Sequence, residues 1–258
     1  MFSSSNIIDY HGDYQHITPY PHMYMDNFLD ESFAKQIQDE IMSLPDSEFD
    51  RYENPFEQKY TLRDKYHYPP ILQSLINELT SDSFLNTLSK FVGYELINDP
   101  DRNFWGVHKY KSGDKLDIHL DAGKHPKTDQ KKQVTLGIYL SYHWKENYGC
   151  ELEIWRGDHT KIYECVARIA PIFNRLIIFT CDDNSWHGNP EPVICDNTSA
   201  RRIFVTVSYL SNNTQYENQR QKAFFVARPD DAPNVEKDRL RVLRADPEKY
   251  KDVYRFMP

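Results

Sequence analysis

The second half of this chain alternates short apolar runs with polar turns, and this pattern constrains the fold more than any other feature. Between residues 103 and 211, β-branched and aromatic residues concentrate in six runs: FWGVHKYK, QVTLGIYLS, ELEIW, KIYECVARI, RLIIFT and RRIFVTVSYL. Polar or glycine-containing segments separate the runs. Short strands at such spacing are typical of an all-β sandwich or barrel, so we predict a β core over residues 103–211.

The first hundred residues carry a helical periodicity instead. We predict a helix near residues 30–43 that begins at the capping residue Asp30, a second helix that follows Pro70, and a third that ends at Gly93. Apolar residues recur three or four positions apart in each: Phe33, Ile37 and Ile41; Leu72, Leu75, Ile76 and Leu79; Phe84, Leu85, Leu88 and Phe91.

Other segments lack either periodicity. Residues 1–24 are expected to form an extended lead-in. Residues 50–70 are polar, tyrosine-rich and aperiodic, which predicts a loop whose part 52–68 is long enough to act as a substrate lid. In the charged segment that closes the chain, Asp246-Pro247 predicts the start of a last helix.

These segments are interpreted as one domain over residues 1–258. It would consist of a helical lead-in over 1–100, the β core over 103–211 and a charged C-terminal extension over 212–258. The sequence does not predict an oligomeric state.

Composition narrows the classes of function. Asp and Glu number 39 against 31 Lys and Arg, a net charge of −8, which argues against a nucleic-acid binder. No apolar stretch approaches 18 residues, so no membrane span is predicted. The four cysteines form no CxxC pair, and the N-terminal MFSSSNIIDYHGDY resembles no signal peptide. We therefore expect reduced thiols and a cytoplasmic location.

Two histidines and an aspartate are candidate metal ligands. His119 and Asp121 are two residues apart in KLDIHLDAG, and residues i and i+2 of a strand project from one face. His187 follows the strand RLIIFT, in a predicted turn before Pro190 and Pro192. Two histidines and a carboxylate can hold one face of an octahedral iron and leave three positions open; zinc is the alternative metal.

A cation and a phenol could line the same pocket. Only one of the adjacent Arg201 and Arg202 can face inward. Arg202 shares its face with Phe204, Thr206 and Ser208, whereas Arg201 shares the aliphatic face that should pack against the helices. Arg202 is therefore predicted to anchor a carboxylate. Likewise, Tyr139 shares a small, polar face with Thr135 and Gly137.

Taken in order, these motifs resemble those of the iron(II)/2-oxoglutarate-dependent dioxygenases, in particular the prolyl-hydroxylase type. That family combines a tyrosine before a glycine turn, HxD, a YLN strand, GGxL, a proline followed by an Arg-Leu strand, a distal histidine and an arginine or lysine. The matching residues here are Tyr110 before Ser112-Gly113; His119 and Asp121; Tyr139-Leu140-Ser141; Gly149-Cys150-Glu151-Leu152, with one glycine replaced; Pro171, Asn174-Arg175-Leu176 and Phe179; His187; and Arg202. The resemblance covers about residues 105–210, is fainter over 18–100 and is absent after 212.

The resemblance implies a mainly β fold with flanking helices, whose core is a double-stranded β-helix, or jelly roll, buttressed by the N-terminal helices. It implies catalytic Fe(II) on His119, Asp121 and His187. It also places the distal carboxylate of the co-substrate 2-oxoglutarate on Arg202 with help from Tyr139.

The resemblance gives less support to four further pocket residues. Tyr110 and Thr206 are candidates for the co-substrate pocket, and Trp105 and Trp186 are weaker ones. The implied reaction uses O₂ as second co-substrate and releases succinate and CO₂, with ascorbate as a reductant.

The resemblance leaves the substrate open. The prolyl-hydroxylase type suggests a prolyl residue of a protein or peptide. The same chemistry on a free amino acid, a sugar or another small metabolite is the first alternative. A non-catalytic, metal-binding jelly roll that only recognises a ligand is the second, and a cupin-type isomerase or lyase fits the HxD spacing less well.

Overall fold

The computed structural model describes residues 13–195, 200–212 and 219–255. This part of the chain forms twelve strands and four α-helices. The strands are β1 (His22–Met25), β2 (Phe49–Asn54), β3 (Glu57–Leu62), β4 (Gly106–Tyr110), β5 (Leu116–Leu120), β6 (Lys131–Tyr139), β7 (Leu152–Gly157), β8 (Ile162–Ile169), β9 (Arg175–Thr180), β10 (Trp186–Asn189), β11 (Arg202–Ser211) and β12 (Phe224–Phe225). The helices are α1 (Glu31–Ser43), α2 (Pro70–Leu79), α3 (Asp82–Val92) and α4 (Val235–Ala245). Short 3₁₀ helices span Tyr14–His16, Asp46–Glu48, Glu146–Tyr148 and Tyr250–Arg255.

The strands form a curled antiparallel sheet, and the predicted jelly-roll core is confirmed. The strand order is β1-β9-β6-β11-β4-β3-β5-β10-β7-β8, with β2 paired to β3 and β12 paired to β5. Apolar side chains of β6 and β9, among them Tyr139 and Ile177, pack against Leu152 and Ile154 of β7. The two ends of the sheet therefore face each other and enclose an interior between them.

The three N-terminal helices pack on the outer face of β6, β9 and β11, as the sequence predicts. Asp30 caps α1 by accepting from the amide of Phe33, and Ser81 caps α3. Gly93 ends α3 in the left-handed region, at φ 84°, where glycine is favoured. The apolar helix faces share one core with the aliphatic faces of the strands: Ile37, Ile41, Leu72, Leu75, Leu88, Val134, Leu136, Ile138, Ile203, Val205 and Val207.

The structure corrects the predicted loop at residues 50–70. This segment contains the β2–β3 hairpin, and β3 joins the main sheet, with Tyr60 opposite Lys109 of β4 and Glu57 opposite Leu116 of β5. The hairpin has no apolar alternation because β3 turns polar side chains to the interior cavity. The proposed lid over residues 52–68 is thus largely part of the sheet.

The C-terminal extension contains an α-helix that the sequence analysis missed. Helix α4 begins after Asn234, whose side chain accepts from the amide of Lys237, and Asp246 is the residue at which it ends. Asp246 also accepts from the amides of Glu248 and Lys249, so Asp246-Pro247 does precede the last helical segment, but that segment is the short 3₁₀ helix Tyr250–Arg255 and not an α-helix. The sequence of α4 hides its helical pattern because its contacts are largely ionic: Lys237 and Arg241 both pair with Asp117 of β5.

The structure also bears on the predictions for His187, the lead-in, the cysteines and membrane spans. His187 lies in β10 and not in a turn. The lead-in contains the short strand β1, and its residues 1–12 lie outside the described part. All four cysteines are free thiols. No helix among the described residues is long and apolar enough to cross a membrane.

Candidate active site

Two neighbouring strands bring the predicted metal ligands together. His119 near the end of β5 lies opposite His187 of β10, and their ring centroids are 4.6 Å apart. Asp121 follows β5 directly, with its two carboxylate oxygens 3.4 Å from His119 Nε2 and 3.7 Å from His187 Nε2. One ligand atom from each residue lies within 4.8 Å of the others, a spacing that can hold a metal ion.

Backbone carbonyls orient both imidazoles. Nδ1 of His119 bonds the carbonyl of Asp117 at 2.9 Å, and Nδ1 of His187 bonds the carbonyl of Ser185 at 2.8 Å. Each Nδ1 is therefore the protonated donor, and each Nε2 keeps its lone pair for a metal. Burial lowers the pKa of His187 to about 4, so this ligand is neutral at neutral pH.

Asp121 is held as a carboxylate by its neighbours. Burial alone would raise its pKa, but the Lys132 ammonium and the imidazoles of His187 and His119 hold it well below the ordinary value. Lys132 is buried on β6 and forms an ion pair with Asp121 Oδ2. Neutral imidazoles and an ionised carboxylate are the donor set that Fe(II) or Zn²⁺ accepts, so these residues fit a bound metal.

Arg202 lies at the start of β11, opposite Tyr110 of β4, and is only 1% exposed. Its guanidinium lies over the rings of Tyr110 (4.8 Å), Tyr139 (4.9 Å) and Phe204 (5.4 Å). Nη2 donates to the Tyr139 hydroxyl at 3.4 Å, while Nε and Nη1 are buried without a hydrogen-bond partner. Among the described residues no carboxylate lies within 4 Å of this charge, so it suits an anionic ligand.

The structure places the remaining predicted pocket residues differently relative to the cavity. Burial raises the pKa of Tyr139 to about 12, so its hydroxyl stays protonated. Tyr110, Thr206 and Trp105 line the same cavity as Arg202, and the Thr206 hydroxyl donates to the carbonyl of Gly106 at 3.3 Å. Trp186 does not line the cavity, because its ring is buried among Ile118, Leu120, Trp155 and Ile162.

The metal-ligand candidates and Arg202 open into one cavity of about 470 Å³, a size typical of small-ligand sites. Residues that sequence reasoning missed also line it, including His108 and Lys132. His108 was detectable, because it is two residues from Tyr110 on β4 and so shares its face. The cavity side chains from β3 and from residues 221–250 were not detectable, because only the tertiary fold brings them there.

One turn explains a departure from the family motif. Gly149 and Cys150 both have positive φ, 66° and 56°. Glycine is favoured at positions of positive φ, which explains why the family motif has two glycines in a row. In this chain Cys150 replaces the second glycine. Its buried sulfur accepts from Nδ2 of Asn189 at 3.0 Å.

Residues 105–210 match the sequence model of the 2OG-Fe(II) oxygenase superfamily. This segment contains the two histidines, Asp121 and Arg202 that the geometry brings to one cavity. This segment is therefore similar to the members of that superfamily, which are oxygenases named for 2-oxoglutarate and Fe(II). A search among curated proteins gives no match.

Solved structures share the fold at low sequence identity. A prolyl-4-hydroxylase from Pseudomonas putida has a TM-score of 0.56 and 14% identity, and the match covers 81% of this chain and 98% of that chain. A prolyl hydroxylase from Trichoplax adhaerens, in complex with a hypoxia inducible factor peptide fragment, has a TM-score of 0.55 and 20% identity over 73% and 82%. HygX from Streptomyces hygroscopicus, with nickel, 2-oxoglutarate and hygromycin B bound, has a TM-score of 0.50 and 12% identity over 75% and 84%. The chain thus has the fold of the prolyl-hydroxylase-type oxygenases.

Proposed function

We propose that this protein is an Fe(II)- and 2-oxoglutarate-dependent hydroxylase. His119, Asp121 and His187 would hold the iron, and Arg202 would hold the distal carboxylate of 2-oxoglutarate. The observation that carries the proposal is the buried Arg202 guanidinium, whose Nε and Nη1 nitrogens have no hydrogen-bond partner and which lines the cavity that also contains the three ligand candidates. A zinc-binding recognition module would have no need of this second, separate anion anchor.

The chain's own residues prepare the site for this chemistry. Bound iron would supply the redox chemistry that couples decarboxylation of 2-oxoglutarate to hydroxylation of a C–H bond. The carbonyls of Asp117 and Ser185 fix both imidazoles before a metal arrives. Lys132 keeps Asp121 ionised and bonds the oxygen Oδ2.

The co-substrate end of the site acts mainly through charge. The unpartnered Nε and Nη1 of Arg202 lie on different sides of the guanidinium, and each can donate to a carboxylate oxygen. A bidentate contact would pair one of them with the second hydrogen of Nη2, a planar fork that a lysine cannot reproduce. The protonated Tyr139 hydroxyl already accepts from Nη2, which leaves its proton available to the same carboxylate. The aromatic rings around Arg202 exclude water and so strengthen these contacts.

For the substrate we propose a prolyl residue of a protein or peptide. The support is the fold shared with prolyl hydroxylases, one of which was solved with a peptide fragment. A small metabolite is the second candidate, because HygX has the same fold and was solved with hygromycin B. In both cases the expected co-products are succinate and CO₂, and ascorbate is the expected reductant.

The test is succinate formation from 2-oxoglutarate on addition of Fe(II) and ascorbate, followed by a substrate screen read as +16 Da by mass spectrometry. Peptides are screened first and metabolites second. We expect N-oxalylglycine to compete with 2-oxoglutarate, and Zn²⁺, Ni²⁺ or Co²⁺ to inhibit. Full activity in excess chelator, or without any 2-oxo acid, would contradict the proposal.

A further inference from the structure

The cavity is strongly cationic although the protein is acidic. Seven Lys and Arg side chains and two carboxylates line it, whereas the whole chain has a net charge of −8. The cations are Lys59, Lys65, Lys124, Lys132, Lys222, Arg202 and Arg244. We propose that the cavity accepts a substrate that carries its own anionic group, a carboxylate or a phosphate. This inference rests on the proposed function, because it names the substrate chemistry of the same site.

Two of the seven cations already have a role in the proposed reaction. Arg202 would bind the distal carboxylate of 2-oxoglutarate, and Lys132 is paired with Asp121. The other five cations are therefore in excess of what the metal and the co-substrate require.

Carboxylates of the protein neutralise little of that excess. Glu57 lies between two cations, 3.2 Å from Lys59 Nζ and 3.7 Å from Arg244 Nε. Within the described residues, no carboxylate lies within 4 Å of Lys65, Lys124 or Lys222. The ammonium of Lys65 donates only to two backbone carbonyls, at 3.3 and 3.4 Å. A buried or half-buried cation without a counter-ion favours an anion from outside.

The pKa of His108 reflects the same positive electrostatic field inside the cavity. Burial lowers the pKa of His108 well below its ordinary value, and the charges of Lys59, Lys65 and Arg202 lower it further. Its imidazole is therefore neutral and adds no charge. Nδ1 contacts the hydroxyl of Thr61 at 3.0 Å, which leaves Nε2 for a polar atom of a ligand.

The excess charge comes mainly from outside the family segment. Lys59 is on β3 and Lys65 follows it, while Lys222 and Arg244 belong to the C-terminal extension. Only Lys124 of the five lies within residues 105–210. These flanking segments therefore contribute four of the five excess cations that line the cavity beside the candidate metal centre. They are the part that would recognise the anionic group of a substrate.

Inorganic pyrophosphate is a direct probe of these excess cations. Its binding to the metal-free protein is measured by calorimetry for the wild type and for Lys65→Gln/Lys222→Gln. The control is Lys90→Gln/Lys161→Gln, which removes the same charge from exposed sites outside the cavity. We expect at least tenfold weaker binding in the cavity variant and unchanged binding in the control. Arg202→Ala is titrated as a fourth protein. Equal binding by the wild type, the cavity variant and the control, or a loss of binding in Arg202→Ala alone, would overturn the inference.

Turnover provides the second test and separates the sources of the anionic group. The kcat/KM values of paired compounds are compared in two arms. The first arm pairs carboxylated metabolites with their amides, and phosphorylated metabolites with their dephosphorylated forms. The second arm pairs prolyl peptides that contain Asp or Glu with the same peptides that contain Asn or Gln. We expect at least a tenfold preference for the anionic member in one arm, lost in Lys65→Gln/Lys222→Gln and kept in the control. A preference for neutral members would overturn the inference. If no compound supports succinate formation, the oxygenase proposal fails while the pyrophosphate titration still decides the anion site.

Discussion

At the scale of single residues, Arg201 and Arg202 at the start of β11 are expected to differ in function although they are adjacent. Arg202 is buried in the cavity, whereas Arg201 is half-exposed and donates to the carbonyl of Ala200. We expect Arg202→Ala to raise the KM for 2-oxoglutarate about 30- to 1000-fold, since a lost bidentate charged contact costs roughly 2–4 kcal/mol. Arg201→Ala should change it by less than about threefold. Both KM values are measured by steady-state kinetics. If Arg201→Ala raised the KM and Arg202→Ala did not, the assignment of the two arginines to opposite faces would be wrong.

The three metal-ligand candidates should be individually essential. We expect His119→Ala, Asp121→Ala and His187→Ala each to abolish iron binding and turnover, because two remaining ligands cannot fix the metal. Circular dichroism should show an intact fold in each variant. If two of the variants kept wild-type iron affinity and succinate formation, the metal would have to lie elsewhere.

Burial of His187 predicts how the stability of the metal-free protein depends on pH. Its pKa falls from 6.5 to about 4 on folding, so the unfolded chain binds the proton more readily in this range. The contribution to stability is complete above pH 6.5 and is lost as the pH falls towards 4. Denaturant unfolding should therefore show a steeper loss for the wild type than for His187→Gln. Parallel profiles would indicate that folding leaves the pKa of His187 near 6.5.

At the scale of elements, helix α4 depends on one buried carboxylate. Asp117 of β5 pairs with Lys115, Lys237 and Arg241, the last two on α4. We expect Asp117→Asn to cost about 3–5 kcal/mol, because it removes the buried carboxylate that three cations share, and of these three Arg241 alone keeps another ion pair among the described residues, with Asp238. Urea unfolding measures the loss, and limited proteolysis should show faster cleavage of the C-terminal extension.

Glu236→Gln is the matched control for that change. Glu236 forms an exposed pair with Arg239 on the same helix, so its loss should leave both readouts almost unchanged. Similar effects of the two substitutions would mean that α4 is held by other contacts.

The elements that the sequence predicts well are those with one apolar face. In β6 and β11 the aliphatic residues alternate with the cavity residues, so the faces of Tyr139 and Arg202 follow from the pattern alone. The hairpin β2–β3 carries charges and tyrosines, and helix α4 is dominated by charged residues. Their structure depends on partners distant in sequence, such as Asp117, and local patterns cannot reveal these partners.

At the scale of the whole molecule, metal binding should stabilise the fold. A ligand at about 100 times its Kd adds roughly 2.7 kcal/mol, which corresponds to a shift of roughly 5–10 °C in Tm for a chain of this size. We expect Ni²⁺ to bind the proposed centre without supporting turnover and to produce such a shift in thermal unfolding. His119→Ala should abolish the shift, and its persistence there would place the bound metal outside the proposed centre.

The cavity combines a floor from one stretch of chain with walls from two others, and this division has a consequence for evolution. Changes in the hairpin or in the C-terminal extension can alter which molecules enter while the floor that contains His119, Asp121, His187 and Arg202 stays the same. Homologues that share only residues 105–210 would then be expected to keep the reaction and to diverge in what they modify. A chimera that exchanges the hairpin and the extension between two such homologues should transfer substrate preference along with them.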